Sequence, residues 1–283
     1  MSTNKLLLID GSNLLFQMFF GMPARIINKK GKAIHGTMGF IGALLKIIRM
    51  TEPTHIAVLF DGEHENSRVE LNSEYKANRI DYGALPEEQC PFTQLADINS
   101  ALDYLKIKHA ETTVCETDDW MAGYAFAYGK YVQIVISSFD SDYFQLITDN
   151  VSVLRYRGAN TAVCTPDYIS EHFGILPAQY ADFKSLVGDS SDNITGAEKI
   201  GPKTAMQLLN KFSSLENILT NAEHVERLPI RDSLIKNTER LRTNYKLIKL
   251  DGGAELPFTL DELAVGGIHT STTEILKGVG LLP

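Results

Sequence analysis

The chain has 283 residues, 44% apolar and 22% charged, enough for a sizeable core in one large domain or two smaller ones. Its three cysteines form no CxxC pair, which argues for free thiols rather than a disulfide frame or zinc site, and no stretch is long and apolar enough to span a bilayer, so we expect a soluble cytoplasmic protein. The formal net charge of −8 argues at first sight against a nucleic-acid partner, but where the acids fall matters more than their sum.

The N-terminal apolar run is too short for a signal peptide and ends in an aspartate. Lys5–Ile9 reads as a strand leading into Asp10-Gly11-Ser12-Asn13. Gly11 permits a tight turn there, and Ser12 or Asn13 can cap the helix that Leu14–Phe20 begins. Ile26–Ile34 carries Lys29, Lys30 and Lys32 and reads as a basic hairpin or loop. A helix is expected from about Gly36 to Met50, broken before Pro53. His55–Phe60 is a second apolar strand, and it too ends in an aspartate, Asp61. Residues 62–95 form a polar excursion with Arg68 and Tyr75-Lys76-Ala77-Asn78-Arg79. If helical, this segment places Lys76 and Arg79 on one face. Pro86-Glu87-Glu88 reads as a helix start, Leu95–Leu105 as a helix and Ile107 as the beginning of a short strand.

The stretch Cys115–Asp142 organises the rest. Glu116, Asp118 and Asp119 stand where a helix begins, and Asp140 and Asp142 follow the strand Gln133–Ser137. Ligand sites in open α/β sheets gather at the carboxyl ends of strands. Taken alone, the acids before the helix are ordinary caps. Taken with Asp10, Asp61, Asp140 and Asp142 they are a cluster that repels itself unless neutralised, and hard oxygen donors suit Mg²⁺ or Mn²⁺.

Val151–Tyr156 is the last clear strand. From about residue 180 helices and glycine turns take over, so we expect a core over 1–180 and a helical part over 181–283. Asp189 and Asp192 lie three apart in Gly188-Asp189-Ser190-Ser191-Asp192-Asn193, on one face if helical. Ile200-Gly201-Pro202-Lys203-Thr204 reads as a glycine turn opening a helix, with Pro202 at the first position and exposed N–H groups able to hold a phosphate. It is not a P-loop: Gly196 and Gly201 have the spacing, but Pro202 precedes Lys203 and no strand comes before. Nine of the 35 acidic residues occupy these positions, and the remaining 26 balance 27 Lys and Arg, so an acidic total does not exclude DNA or RNA.

Together these pieces resemble the 5′-nuclease family, which includes flap endonucleases and the 5′→3′ exonuclease domain of bacterial DNA polymerase I. Seven motifs match in order, from Asp10-Gly11-Ser12 to Ile200–Ala205. The resemblance implies a mixed, mostly parallel sheet flanked by helices, a helical arch at about 62–95, and a helix–three-turn–helix for duplex DNA. It implies metal-dependent 5′→3′ exonuclease and 5′-flap endonuclease action with two Mg²⁺ or Mn²⁺. Asp10, Asp61, Glu116 and Asp118 look like ligands of the first ion. Asp118 or Asp119, with Asp140, Asp142, Asp189 and Asp192, would hold the second. Lys76 and Arg79 would act on the scissile phosphate. Arg68, Tyr75, Gly196, Lys199, Gly201, Lys203 and Thr204 would contact DNA, with K⁺ often held at the last turn. The implied partner is DNA with 5′ ends or flaps, or an RNA–DNA hybrid, met by a monomer, and no polymerase region follows, as in free-standing phage or bacterial enzymes.

Five positions depart from the family pattern, among them Thr117 where Ala is usual and Thr195 where Pro is usual. Gln17 stands where Arg is usual, and Phe139 and Ser141 stand where Gly and Lys are usual. Losing two cations implies a weaker or more metal-demanding nuclease. A PIN-like ribonuclease and a branched-DNA-binding protein that does not cut are the competing readings. The Gly201-Pro202-Lys203 turn speaks against the first and the nine intact carboxylates against the second. A haloacid-dehalogenase-type phosphatase needs DxD at the first strand, which Asp10-Gly11-Ser12 does not supply.

Overall fold

A computed structural model of the chain describes residues 4–62, 68 and 71–283. Part of the excursion expected at 62–95, residues 63–67 and 69–70, lies outside the described residues. Among the described residues six strands form one sheet: β1 (Lys5–Asp10), β2 (His55–Phe60), β3 (Lys108–Glu111), β4 (Gln133–Ser137), β5 (Val151–Arg155) and β6 (Ala162–Cys164). The order is β3-β2-β1-β4-β5-β6, parallel throughout except for β6. β2 is buried along its whole length and β1 along nearly all of it, as expected of parallel strands covered on both faces.

The alternation of β1 divides the core in two. Leu7 and Ile9 pack with Phe40 and Leu44 of α2 (His35–Thr51) and with α1 (Gly11–Gly21), α3 (Leu95–Tyr104) and the terminal α11 (Thr272–Gly278). Leu6 and Leu8 face Trp120, Met121 and Tyr124 of α4 (Thr117–Tyr128). That second apolar cluster continues through α5 (Pro166–Phe173), α6 (Tyr180–Val187), α7 (Pro202–Phe212), α8 (Leu215–Thr220), α9 (Leu228–Lys236) and α10 (Thr238–Ile248). No helix is long and apolar enough to cross a membrane among the described residues.

The strand register places the site. Asp10 pairs beside Leu59, and Ile9 lies beside Val58 on one side and Ser137 on the other, so β1, β2 and β4 end level. β1 is also where the winding direction reverses, the point at which α/β sheets leave a crevice.

Several local expectations are corrected. The cap of α1 is not Ser12 or Asn13 but Asp10, for which a cap was one of two sequence readings, and it accepts from the Asn13 N–H. Residues 72–79 are a series of turns, not a helix, and Lys76 takes φ 57°. Instead of a helix from Pro86, three short 3-10 turns cover Tyr82–Ala84, Glu87–Gln89 and Pro91–Gln94. Asp189 and Asp192 belong to a hairpin of β7 (Gly188–Asp189) and β8 (Ile194–Thr195), so they meet by chain reversal rather than helical spacing. The edge strand β6 went unread.

Candidate metal centre

Asp10 ends β1 with a buried carboxyl that takes three donors. Asn13 N–H gives to Oδ1 at 2.9 Å, and Ser138 Oγ and Tyr143 Oη give to Oδ2 at 2.8 and 3.3 Å. Burial, with Asp61 alongside, nevertheless pushes its pKa up to about 7. Asp61 follows β2, and its Oδ1 accepts from Thr117 N–H at 3.0 Å, tying the end of β2 to the start of α4.

Glu116 caps α4 in a reciprocal box with Asp119. Arg68 bridges three acids: it is ion-paired with Glu116, lies 3.1 Å from Asp118 and 2.7 Å from Asp119. Lys76 takes the other Glu116 oxygen. Burial alone would raise Glu116, but Lys76 and Arg68 outweigh it and hold the carboxyl below its usual range. At Asp118 burial wins over Arg68, and the pKa stands well above the usual range. Asp140 is fixed in its turn by Ser138 Oγ, which accepts from its N–H at 3.0 Å, and by Asp142 N–H, which donates to its carboxylate at 2.8 Å.

Asp142, Asp189 and Asp192 each bring a carboxylate oxygen to within 4.8 Å of the others. The hairpin carrying the last two needs glycine: Gly188 has φ 87°, and a Cβ there would lie 2.6 Å from the Ile194 carbonyl oxygen. A Cβ on Gly196 would meet the backbone of Val187 at 2.3 Å. A buried lysine, Lys184 of α6, is ion-paired with both Asp142 and Asp189. Burial still pushes Asp142 up to about 7, whereas the shallower Asp189 is held below its usual range by Lys184. The 72–79 turns dock on this hairpin through Lys76 N–H to Asp192 O (3.1 Å), Asn78 to Ser190 O (3.0 Å), Asn193 to Glu74 O (2.8 Å) and Arg79 to the Asp192 carboxylate (2.7 Å).

A cavity of about 910 Å³ opens over Asp10, Asp61, Glu116, Asp118 and Asp140, with Lys76, Arg79 and Tyr143 in its wall. Every candidate ligand in both groups is a carboxylate, a donor set that fits a hard divalent ion. Among the positions expected to meet DNA, Lys199, Gly201 and Lys203 are exposed and Gly196 and Thr204 half-buried around the start of α7. Arg68 is placed among the carboxylates, and Tyr75, only 4% exposed, packs against Ala181, Ile194, Leu247 and Ile248 instead of facing outward. Lys184, Ser138, Tyr143 and Asn13 were missed. The one available hint was Lys184, a charge inside Phe183-Lys184-Ser185-Leu186-Val187, and it reads equally well as a lysine reaching out to solvent.

Residues 5–174 match the family described as 5′-3′ exonuclease, N-terminal resolvase-like domain, and residues 175–271 match its C-terminal SAM fold. The chain belongs to the 5′-3′ exonuclease family. It is 35% identical over 244 residues to a 5′-3′ exonuclease of Buchnera aphidicola from Schizaphis graminum, covering 85% of this chain and 81% of that one. It is 34% identical over 273 residues to DNA polymerase I of Streptococcus pneumoniae R6, covering 94% of this chain but 31% of the polymerase. The chain thus spans about a third of the length of such polymerases. In fold it is similar to a bacteriophage T5 flap endonuclease solved as a pseudo-enzyme–product complex with DNA and metal ions, with TM-score 0.71, 23% identity, and 98% and 99% of the two chains covered.

Proposed function

We propose that this 5′-3′ exonuclease hydrolyses DNA phosphodiesters near 5′ ends and at 5′ flaps, using two Mg²⁺ or Mn²⁺ ions. The observation that carries the reading is the convergence of carboxylates from β1, β2, the start of α4 and the turn after β4 on one cavity, with Lys76 and Arg79 in its wall and Arg79 reaching the second carboxylate group of Asp142, Asp189 and Asp192. Asp10, Asp61, Glu116 and Asp118 would hold the first ion. Asp140, Asp142, Asp189 and Asp192, with Asp118 or Asp119, would hold the second directly or through water. Such a pair of ions supplies a hydroxide at neutral pH and offsets charge on the attacking and leaving oxygens.

The chain's own groups do the rest. Lys76, from a left-handed turn, and Arg79, more than half exposed, present cations to the phosphate being cleaved. Leaving their carboxylate partners for the phosphate exchanges one anion for another, so each cation stays paired. Ser138, Tyr143 and Asn13 hold Asp10 in one orientation. The exposed start of α7, with Gly201, Lys203 and Thr204 and with Lys199 and Gly196 before it, would grip duplex backbone without reading bases, and K⁺ would be held at this turn. In this reading 1–180 is the nuclease core, 62–95 its arch and 181–283 the duplex-binding part, acting as a monomer in the cytoplasm.

The test is cleavage of a 5′-labelled flap duplex beside blunt duplex, RNA–DNA hybrid and single strand, in Mg²⁺, Mn²⁺ or EDTA, with Asp140→Ala as control. Metal-dependent cutting near the flap junction that Asp140→Ala abolishes is expected, and product lengths separate exonuclease from endonuclease action. Tight flap binding with no cutting in either metal would overturn the proposal in favour of a binding protein, and preference for single-stranded RNA would do so in favour of a ribonuclease.

A further inference from the structure

Lys184 is 7% exposed, and its ammonium is ion-paired with two of the three carboxylates in the Asp142, Asp189 and Asp192 group. It cannot readily leave. It rises from α6, whose neighbouring Phe183, Ser185 and Leu186 are buried, and Asp189 follows five residues later at the start of the hairpin. An ammonium is a compact point charge with three donors and no acceptor, so it satisfies one oxygen of Asp142 and one of Asp189 and sets its own charge against any metal ion that approaches them.

We propose that Lys184 is a tethered counter-cation that holds Asp142 and Asp189 together without a metal and makes divalent ions bind this group weakly, in competition with it. This rests on the reading of Asp142, Asp189 and Asp192 as the second metal group. A fixed positive charge in contact with two ligands repels an incoming divalent ion and lowers the negative charge the group offers it. The ion therefore binds against the lysine's charge unless a lysine contact loosens. The first group has its cations from a different source, Arg68 and Lys76 of the 62–95 connection, so removing the Lys184 charge is expected to act mainly on the second group.

The test is Mn²⁺ binding without DNA, by titration calorimetry and by electron paramagnetic resonance of free Mn²⁺. The proteins are wild type, Asp192→Asn, Lys184→Met and Lys184→Arg. Wild type is expected to show two classes of site, with Asp192→Asn removing the weaker. Lys184→Met should tighten that same class by at least about tenfold and leave the other within about twofold, since one full charge is removed at contact distance from only one group. Lys184→Arg, which keeps the charge, should stay near wild type. If Asp192→Asn removes neither class, the second metal group itself is wrong, whatever Lys184 does. If it removes one and Lys184→Met leaves that class unchanged or weaker, the competition is refuted and the metal group stands. Lys184→Met should also melt lower than wild type in EDTA and recover with Mn²⁺. Should it fail to fold in EDTA, adding Asp189→Asn removes one charge of each sign and should restore folding. A variant that neither Mn²⁺ nor Asp189→Asn rescues would overturn the counter-cation role.

Discussion

The two carboxylate groups solve one electrostatic problem with differently anchored cations. Around Glu116, Asp118 and Asp119 the positive charge comes from Arg68 and Lys76, which belong to the long connection between β2 and α3. Around Asp142 and Asp189 it comes from Lys184, rooted in a helix of the main apolar cluster. Cations on a connection can be handed to a substrate phosphate; a cation built into the core cannot. In the proposed reading the first group serves chemistry on the substrate and the second is held together by its own lysine, with Arg79 at Asp192 the link between them.

The sharpest way to break this comparison is to remove one acid from each group. Asp118→Asn should lower kcat for flap cleavage by about 10³-fold or more, since it takes a ligand from the metal pair. Asp118 is held well above its usual pKa by burial, so the same change should raise Tm in EDTA: it removes a carboxyl whose ionised form the buried site disfavours. Asp192→Asn should cost less activity and lower Tm, because it strips the partner of Arg79. Equal effects from both substitutions in both assays would dissolve the distinction.

The pH dependence of the metal-free protein sharpens it. Asp10 stands at about 7 in the fold against an ordinary 3.8, and Asp142 is likewise raised to about 7. A carboxyl raised in the folded state binds its proton more tightly there than in the unfolded chain. Stability is therefore lost as pH climbs from about 4 to 7 and is flat above, by up to roughly 4 kcal/mol for Asp10. Glu116 and Asp189 are shifted downward and so act in the opposite sense, on the acid side of their ordinary values. Thermal melts in EDTA should fall between pH 5 and 8, and Mg²⁺ should remove most of the fall because it binds the deprotonated ligands and displaces protons. A metal-free Tm that rises over this range would contradict the burial argument.

Removing Lys76 probes the cation that can be handed over. Lys76→Ala should lower kcat by about 10²-fold with a smaller change in flap-DNA affinity, as expected for a group that stabilises developing charge. Loss confined to affinity would place Lys76 in binding alone.

How much of this could be read beforehand depends on the length and regularity of each segment. β1, β2 and β4 were legible because strands buried on both faces are unbroken apolar runs, and in each the chain turns polar with a carboxylate at or soon after the end. Glu116 and Asp119 were legible because acids before a helix have a known place. The β7–β8 hairpin was not, since two-residue strands carry no periodicity and its tightness depends on Gly188 and Gly196 approaching other backbone. The 72–79 turns were misread as helical because spacing alone cannot reveal that Lys76 adopts a left-handed conformation. Lys184 was invisible because its partners lie 42 residues upstream and in the following hairpin.

The smallest expected effect concerns the two positions where the family's usual cations are missing. Gln17 donates its amide to the Tyr156 carbonyl at 2.7 Å, and half-buried Ser141 is hydrogen-bonded to Tyr180. Arg155 already brings a guanidinium under the same turn: it donates to the Phe139 carbonyl at 2.6 Å and lies 5.5 Å from the Phe139 ring. A lysine at 141 would join a cation already present, whereas an arginine at 17 would bring charge to a helix face held by a neutral contact. Gln17→Arg should therefore raise kcat/KM at low Mg²⁺ by about two- to tenfold and Ser141→Lys by less, with the salt dependence of DNA binding steepening by up to about one unit of slope per added phosphate contact. No gain from either substitution would refute the idea that the missing cations make the chain a weaker or more metal-demanding nuclease.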